Sequence, residues 1–151
     1  MRKVPINREV ILSRLEEIRK NVAEIEPFQN MEYKEFLEDK NFAVAEHFLR
    51  RALEAIFDIG SHILSRIPGA RAGTYKEIAI LLGKRKIVPQ EFAQEKLIKM
   101  AGYRNRLIHF YLEVTEEELL KIIKEDLVDI EEFSEHIKKV LMSPEKYGLT
   151  V

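Results

Sequence analysis

Apolar residues recur every three or four positions along most of this chain, the spacing that places them on one face of an α-helix. Such series run from Asn7 to Ile25, from about Phe42 to Ile67, and along the stretch that follows Thr115. No segment alternates apolar and polar residues clearly enough to predict a strand. The pattern therefore predicts an all-α fold, an antiparallel helical bundle of four to five main helices.

Residues that typically begin or end helices lie between these series, at Asn7, Pro27, Asp39 or Asn41, and Pro68-Gly69. Thr74–Glu77 and Thr115–Glu118 have the spacing of a capping box. In that motif the threonine oxygen accepts a backbone N–H and the glutamate side chain reaches back to the cap. Pro89 is suited to the first turn of a further helix. Pro144 and Gly148 follow the last series and predict a loose C-terminal tail.

The length and composition of the chain exclude several classes of protein. A chain of 151 residues favours one domain, predicted here over residues 1–143, with residues 144–151 as the tail. The absence of cysteine excludes a disulfide framework, a thiolate metal site and a cysteine nucleophile, and it suits a reducing compartment. Neither a signal peptide nor an apolar run of about 18 residues occurs, so we expect a cytoplasmic protein without a membrane span.

Charge is distributed unevenly although the formal net charge is only -1. The segment 76–106 contains eight basic residues and three acidic ones, whereas the segment 113–135 contains ten acidic residues and two basic ones. A basic segment of this kind suits a ligand that carries phosphate groups. The alternative is that two solvated helix faces simply have opposite charge.

The apolar spacing is interrupted at one place that carries reactive side chains. The series that ends at Met100 predicts its next core position at residue 104, and that residue is an arginine. His109 and Tyr111 follow, where the helical pattern fades. Because a buried or half-buried guanidinium needs a partner or a ligand, this stretch is a candidate site.

Arg104 and His109 have the chemistry that RNA cleavage requires. Arginine can hold a phosphate bidentately and stabilise a pentacovalent phosphorus, and histidine can transfer a proton near neutral pH while a ribose 2′-hydroxyl attacks its own phosphate. On a straight helix the two residues would lie about 140° apart, so they meet only if the helix ends or bends before His109. The alternative is a structural role, in which Arg104 pairs with a core acid and His109 caps a helix end.

The stretch from Met100 to Tyr111 resembles the Arg-x4-His-x-Tyr signature of HepT-like toxins, which belong to the HEPN superfamily. The resemblance covers nearly the whole chain, because the segments 53–62, 74–77 and 87–89 also occur in the expected order. It implies a homodimeric all-α ribonuclease toxin of a type VII toxin–antitoxin pair. Its partner would be a minimal nucleotidyltransferase antitoxin of the MntA type, and the reaction would need neither a metal nor another cofactor.

The resemblance also assigns roles to individual residues. Arg104 and His109 would cleave RNA, and Tyr111 would be the residue to which the antitoxin attaches AMP. Asn105 would support the loop or the bound phosphate. This chain has Phe110 where relatives often carry an acidic residue, a difference that would alter contacts with the substrate.

Glu54, Asp58 and His62 are spaced at i, i+4 and i+8 on the second long helix, so they share one face. They match positions that are commonly polar in the family, and we expect them to line the cleft or to pair with Arg104 across it. The alternative is an exposed stripe in which Asp58 pairs with His62.

The sequence supports other functions less well. None of the four histidines has a glutamate three positions before it, which argues against a ferritin-like metal site. No phosphate-binding loop motif occurs. Two further hypotheses remain: a non-catalytic helical dimer that binds a nucleotidyltransferase or a nucleotide, and a purely structural helical dimer.

Overall fold

A computed structural model describes residues 4–108 and 114–151 of the protein. In chain order its α-helices are α1 Arg8–Ile25, α2 Tyr33–Phe36, α3 Asn41–Ser65, α4 Tyr75–Lys84, α5 Gln90–Phe92, α6 Ile98–Ile108 and α7 Glu116–Met142. Short 3-10 helices occur at Glu26–Asn30 and Pro144–Tyr147, and the described residues include no strand. The all-α prediction is therefore confirmed. No helix in these two ranges is both long enough and apolar enough to cross a membrane.

Helix α3 is the centre of the bundle. It packs along α1 and also contacts α4, α6 and α7. Its apolar residues extend around more than one face, which is why it can be covered from several sides. Gly60 allows α4 to approach closely, since a Cβ atom there would lie 2.7 Å from Ile78 and 3.0 Å from Leu82. This contact fixes the position of α4 relative to α3.

Three of the predicted N-caps form as expected. The side chain of Asn7 accepts the backbone N–H of Val10 at 3.2 Å and begins α1. The hydroxyls of Thr74 and Thr115 each accept a backbone N–H from the glutamate three residues later, at 3.1 Å. The second half of each capping box differs from the prediction. Glu77 binds the backbone N–H of Gly73, and Glu118 pairs with an arginine of α6.

The predicted cap of α3 is wrong. The N-cap residue is Lys40, whose side chain makes no capping bond. Asn41 is already the first residue of the helix, and its side chain donates to the carbonyl oxygen of Glu35 at 3.0 Å. Asp39 adopts a left-handed backbone conformation with φ of 54°, so it completes the turn that precedes the helix.

Helices α5 and α6 form one continuous helical segment, interrupted by a π-helical turn at Ala93–Leu97. A π-turn holds one more residue than the α-helical turn it replaces. The residues after the turn therefore face a different direction from the one that a regular helix starting at Gln90 would give them. This segment leads to the stretch in which the sequence predicts the site.

The C-terminal tail was predicted to be loose, and this prediction is wrong. Leu149 is only 3% exposed and belongs to the hydrophobic core. The backbone N–H of Ile6 donates to the carbonyl oxygen of Thr150 at 2.8 Å, so the tail is joined to the segment that precedes α1. Pro144 begins a 3-10 helix just after α7 and Gly148 ends it in a left-handed conformation, so these residues mark turns in the chain but do not release it from the domain.

We predict that Leu149→Ala destabilises the protein. Truncating a buried leucine typically costs about 2–5 kcal/mol, because apolar contacts are lost and a cavity remains. The free energy of unfolding in urea measures the effect. Met142→Ala is the matched control, since this residue is 80% exposed and its truncation should change little. Equal stability of the two variants would contradict the docking of the tail.

Candidate active site

Arg104 lies where helices α3, α4 and α6 meet. Its side chain is 13% exposed, which confirms that the apolar series of α6 continues through position 104 on the inward side. Its Nη2 atom lies 3.6 Å from Oε1 of Glu54 on α3, and its Cζ atom lies 4.4 Å from the centre of the Tyr75 ring on α4. The guanidinium is thus held between a carboxylate and an aromatic face.

The guanidinium of Arg104 keeps hydrogen-bonding capacity in this position. The distance to Glu54 is longer than that of a direct hydrogen bond, so the two groups form an ion pair with loose geometry. The Nε atom is buried and has no hydrogen-bond partner among the residues that the structure describes. A guanidinium has N–H donors arranged in a planar fork that matches the oxygens of a phosphate. Because Nε is buried, the Nη end of the guanidinium, which pairs only loosely with Glu54, is the part that can bind an anionic ligand.

Asp58 and His62 share a face of α3 with Glu54, but they contact other partners. Oδ2 of Asp58 lies 3.4 Å from Nε of Arg14 on α1. Burial raises the pKa of the Asp58 carboxyl, and the positive charge of Arg14 partly offsets this effect. Nε2 of His62 accepts the backbone N–H of Asn7 at 2.9 Å, which requires the unprotonated nitrogen, and burial lowers the pKa of this imidazole. Glu54 is thus the residue of this stripe that the structure places at Arg104.

The remaining predicted site residues are in or beyond the last part of α6. Asn105 is half-buried and follows Arg104 directly. His109, Phe110 and Tyr111 lie outside the described residues. The catalytic role of His109 and the AMP-acceptor role of Tyr111 therefore stay predictions. Among the described residues no group of His, Cys, Asp or Glu side chains is arranged to hold a metal ion.

The uneven charge distribution is partly neutralised within the fold. Basic side chains of the π-helical turn and α6 pair with acidic side chains of α7: Lys96 with Asp129 at 3.7 Å, Lys99 with Asp126 at 3.6 Å and Arg106 with Glu118 at 2.7 Å. The hydrogen bonds to Arg106 lower the pKa of Glu118. The basic segment 76–106 is therefore weaker evidence for a phosphate ligand than its sequence suggested, and Arg104 becomes the more specific observation.

Tyr75 is a site residue that the sequence did not identify. In the sequence Tyr75 belongs only to the capping box at the start of α4. Its ring contacts Arg104, which lies on a different helix, α6. Periodicity predicts which face of a helix is buried, but it does not predict which helices are neighbours. The sequence feature that could have indicated this role is the aromatic residue directly after the helix cap, at the edge of the apolar stripe.

Comparison with known proteins identifies the family. The family profile described as ribonuclease HepT-like matches residues 18–137, which is most of the chain. The chain is 30% identical over 115 residues to a tRNA nuclease HepT of Aphanizomenon flos-aquae, which covers 76% of this chain and 78% of that protein. It is 29% identical over 90 residues to an mRNA nuclease HepT of Shewanella oneidensis, covering 60% of this chain and 67% of that protein.

Solved structures share the fold. The tri-AMPylated HEPN toxin of Shewanella oneidensis, in complex with MNT antitoxin, superposes with a TM-score of 0.78 at 23% identity, covering 88% of this chain and 99% of that one. YutE from Bacillus subtilis, a cytosolic protein of unknown function, superposes with a TM-score of 0.77 at 21% identity, covering 92% and 93%. The extent of the profile match and the identity to curated relatives confirm the resemblance seen in the sequence, and this chain belongs to the ribonuclease HepT-like family.

Proposed function

We propose that this protein is a metal-independent endoribonuclease, the toxin of a type VII toxin–antitoxin pair, and that AMP transfer onto Tyr111 silences it. The observation that carries the proposal is the guanidinium of Arg104, which is mostly buried and, among the described residues, only loosely paired with Glu54, five residues before His109. Relatives named as tRNA and mRNA nucleases support the same class of substrate.

The proposed reaction uses a nucleophile that RNA itself supplies. His109 accepts the proton of a ribose 2′-hydroxyl, and the oxygen attacks the adjacent phosphorus. The bond from phosphorus to the 5′-oxygen of the next nucleotide breaks, that oxygen takes up a proton from water, and the protonated His109 returns its proton to the solvent. The products are a 2′,3′-cyclic phosphate and a 5′-hydroxyl end. Arg104 binds the phosphate oxygens and stabilises the negative charge that grows on them, so the reaction does not depend on a metal ion.

The proposed regulation follows from the position of Tyr111, two residues after His109. AMP attached there would place phosphate groups beside the catalytic pair, where they would repel the RNA backbone and occupy its space. The related toxin of Shewanella oneidensis was solved in a tri-AMPylated form with MNT antitoxin, which supports both the modification and the partner. We further propose a cytoplasmic homodimer with two Arg104/His109 pairs near its interface. Cytoplasmic placement agrees with the description of YutE as cytosolic.

We predict that a nucleotidyltransferase encoded beside this protein adds AMP to it. Incubating the two proteins with ATP should raise the intact mass of this chain by one or more AMP units, and the gain should be absent in Tyr111→Phe. Tyr33→Phe is the matched control, because Tyr33 is an exposed tyrosine of α2 and its variant should still be modified.

The same preparations then test the nuclease. Unmodified protein should cleave bulk tRNA or mRNA in the presence of a chelator, and AMP-bearing protein should not. Modification without any cleavage by the unmodified protein would instead favour the alternative, a non-catalytic dimer that binds its nucleotidyltransferase. No mass gain in either the wild type or Tyr33→Phe would contradict regulation by AMP transfer.

A further inference from the structure

We infer that Tyr75 is a positioning residue for the proposed reaction, because its ring fixes the plane of the Arg104 guanidinium against which an RNA phosphate binds. The inference rests on the proposed function and extends it to a residue that lies outside the Arg-x4-His-x-Tyr motif. It depends on three features of the described residues: the contact between the two side chains, the way Tyr75 is held, and the buried Nε atom of Arg104.

The contact has the geometry of a cation–π interaction. The Cζ atom of Arg104 is 4.4 Å from the centre of the Tyr75 ring, well inside the range of about 6 Å within which this attraction operates. Glu54 lies on another helix, at 3.6 Å from Nη2. A carboxylate that is 40% exposed and loosely paired supplies charge but does not define an orientation. The flat aromatic surface is the contact that sets the plane of the guanidinium.

Tyr75 is itself held on several sides. It is the first residue of α4, so the hydrogen bond from the Glu77 backbone N–H to Thr74 fixes its backbone. Its ring lies 5.3 Å from that of Phe57, which is 1% exposed and belongs to the core of α3. The close approach of α4 to Gly60 keeps both helices in place. The ring therefore has little freedom to follow a moving arginine.

The buried Nε atom of Arg104 supports the same conclusion. Nε has no partner in the part of the chain that the structure describes, and a buried donor in that state typically costs about 1–3 kcal/mol, so this orientation needs a compensating attraction. The aromatic face supplies one without using any of the N–H donors. Arg104 is thus held in one orientation while donors of its fork stay available to a phosphate, and less side-chain freedom is lost when RNA binds.

Kinetic measurements test the inference through three variants. Tyr75→Leu keeps an apolar side chain but removes the aromatic face, and we expect kcat/KM for RNA cleavage to fall about 3- to 30-fold. Tyr75→Phe should restore the loss, because it retains the ring. In an Arg104→Ala background, Tyr75→Leu should have no further effect on cleavage. Tyr33→Leu, on α2, is the control for loss of a tyrosine elsewhere.

A spectroscopic measurement tests the positioning without relying on activity. The Nε–H resonance of Arg104, identified by its disappearance in Arg104→Lys, should be protected from exchange and shifted by the ring current of Tyr75. The shift should persist in Tyr75→Phe and be lost in Tyr75→Leu, or in Tyr75→Met if the leucine variant fails to fold. An unchanged resonance in these non-aromatic variants overturns the inference. A wild-type protein that keeps the shifted resonance but cleaves no RNA overturns the proposed function and leaves the positioning intact.

Discussion

Arg104→Ala should lower kcat/KM for RNA cleavage by about 10²–10³-fold, the usual loss when one preorganised donor to a developing oxyanion is removed. The expected size follows from where the guanidinium lies. It is 13% exposed and held between Glu54 and Tyr75, so water does not replace its donors easily when the side chain is truncated. The effect should appear mainly in kcat, because the negative charge on the phosphate oxygens grows in the transition state.

Two further variants make the Arg104 measurement specific. Arg104→Lys keeps the positive charge but loses the planar fork and the contact of the guanidinium with the Tyr75 ring, so it should recover only part of the activity. Arg19→Ala is the control, since this exposed arginine of α1 also pairs with a carboxylate, that of Glu16. A wild-type rate of RNA cleavage in Arg104→Ala would show that Arg104 takes no part in the reaction. The melting temperature of each variant is measured beside the rates, because truncating Arg104 also removes its packing against Tyr75.

His109→Ala should slow RNA cleavage by about 10²–10⁴-fold, the contribution typical of one general acid–base group. The residue is outside the described part of the chain, so this expectation comes from its place in the sequence motif and from the chemistry of imidazole. In the proposed mechanism His109 is the base that accepts the proton of the 2′-hydroxyl, so its removal should slow that step. The loss should be found in single-turnover measurements, which isolate the chemical step from product release.

The His109 measurement has its own controls. His47→Ala removes an exposed histidine of α3 and should leave the rate unchanged. An RNA with 2′-O-methyl groups should resist the wild-type enzyme, because the nucleophile is blocked. The double variant of Arg104 and His109 should lose less than the product of the two single effects, since both groups act on one transition state. Normal cleavage by His109→Ala would mean that another group transfers the proton.

Most of the fold could be predicted because the apolar residues of a packed helix recur every three or four positions in the sequence. The long helices α1, α3 and α7 were expected close to their observed bounds, and the caps at Thr74 and Thr115 were predicted correctly. The tail was misjudged because a proline and a glycine indicate where a helix ends but not where the following chain packs. Leu149 is buried in the core, and the backbone next to it is bonded to Ile6, which lies at the other end of the sequence.

The site could be predicted only in part, for a similar reason. The inward orientation of Arg104 followed from the periodicity of α6, and Glu54 was among the candidates to pair with it. Tyr75 could not be found in this way, because its contact with Arg104 depends on how α4 crosses the bundle. Asp58 and His62 share a helix face with Glu54, yet their partners are Arg14 and Asn7. Spacing places residues on a face but does not assign the neighbours that each one meets.

The π-helical turn at Ala93–Leu97 accommodates one extra residue in the segment that leads to the active site. Removing a single residue from this turn would restore a regular α-helix and leave the later residues facing nearly the same direction, because a π-turn and the α-turn it replaces cover about the same rotation. Removing a residue from the regular helix between this turn and Arg104 would instead rotate every later residue of the segment by about 100°. Arg104 would then point away from Tyr75 and Glu54, although no functional side chain had been changed. Among related sequences, single-residue insertions and deletions should therefore be tolerated in the loops on either side of this helix, and at the π-turn, far more readily than between Ile98 and Arg104.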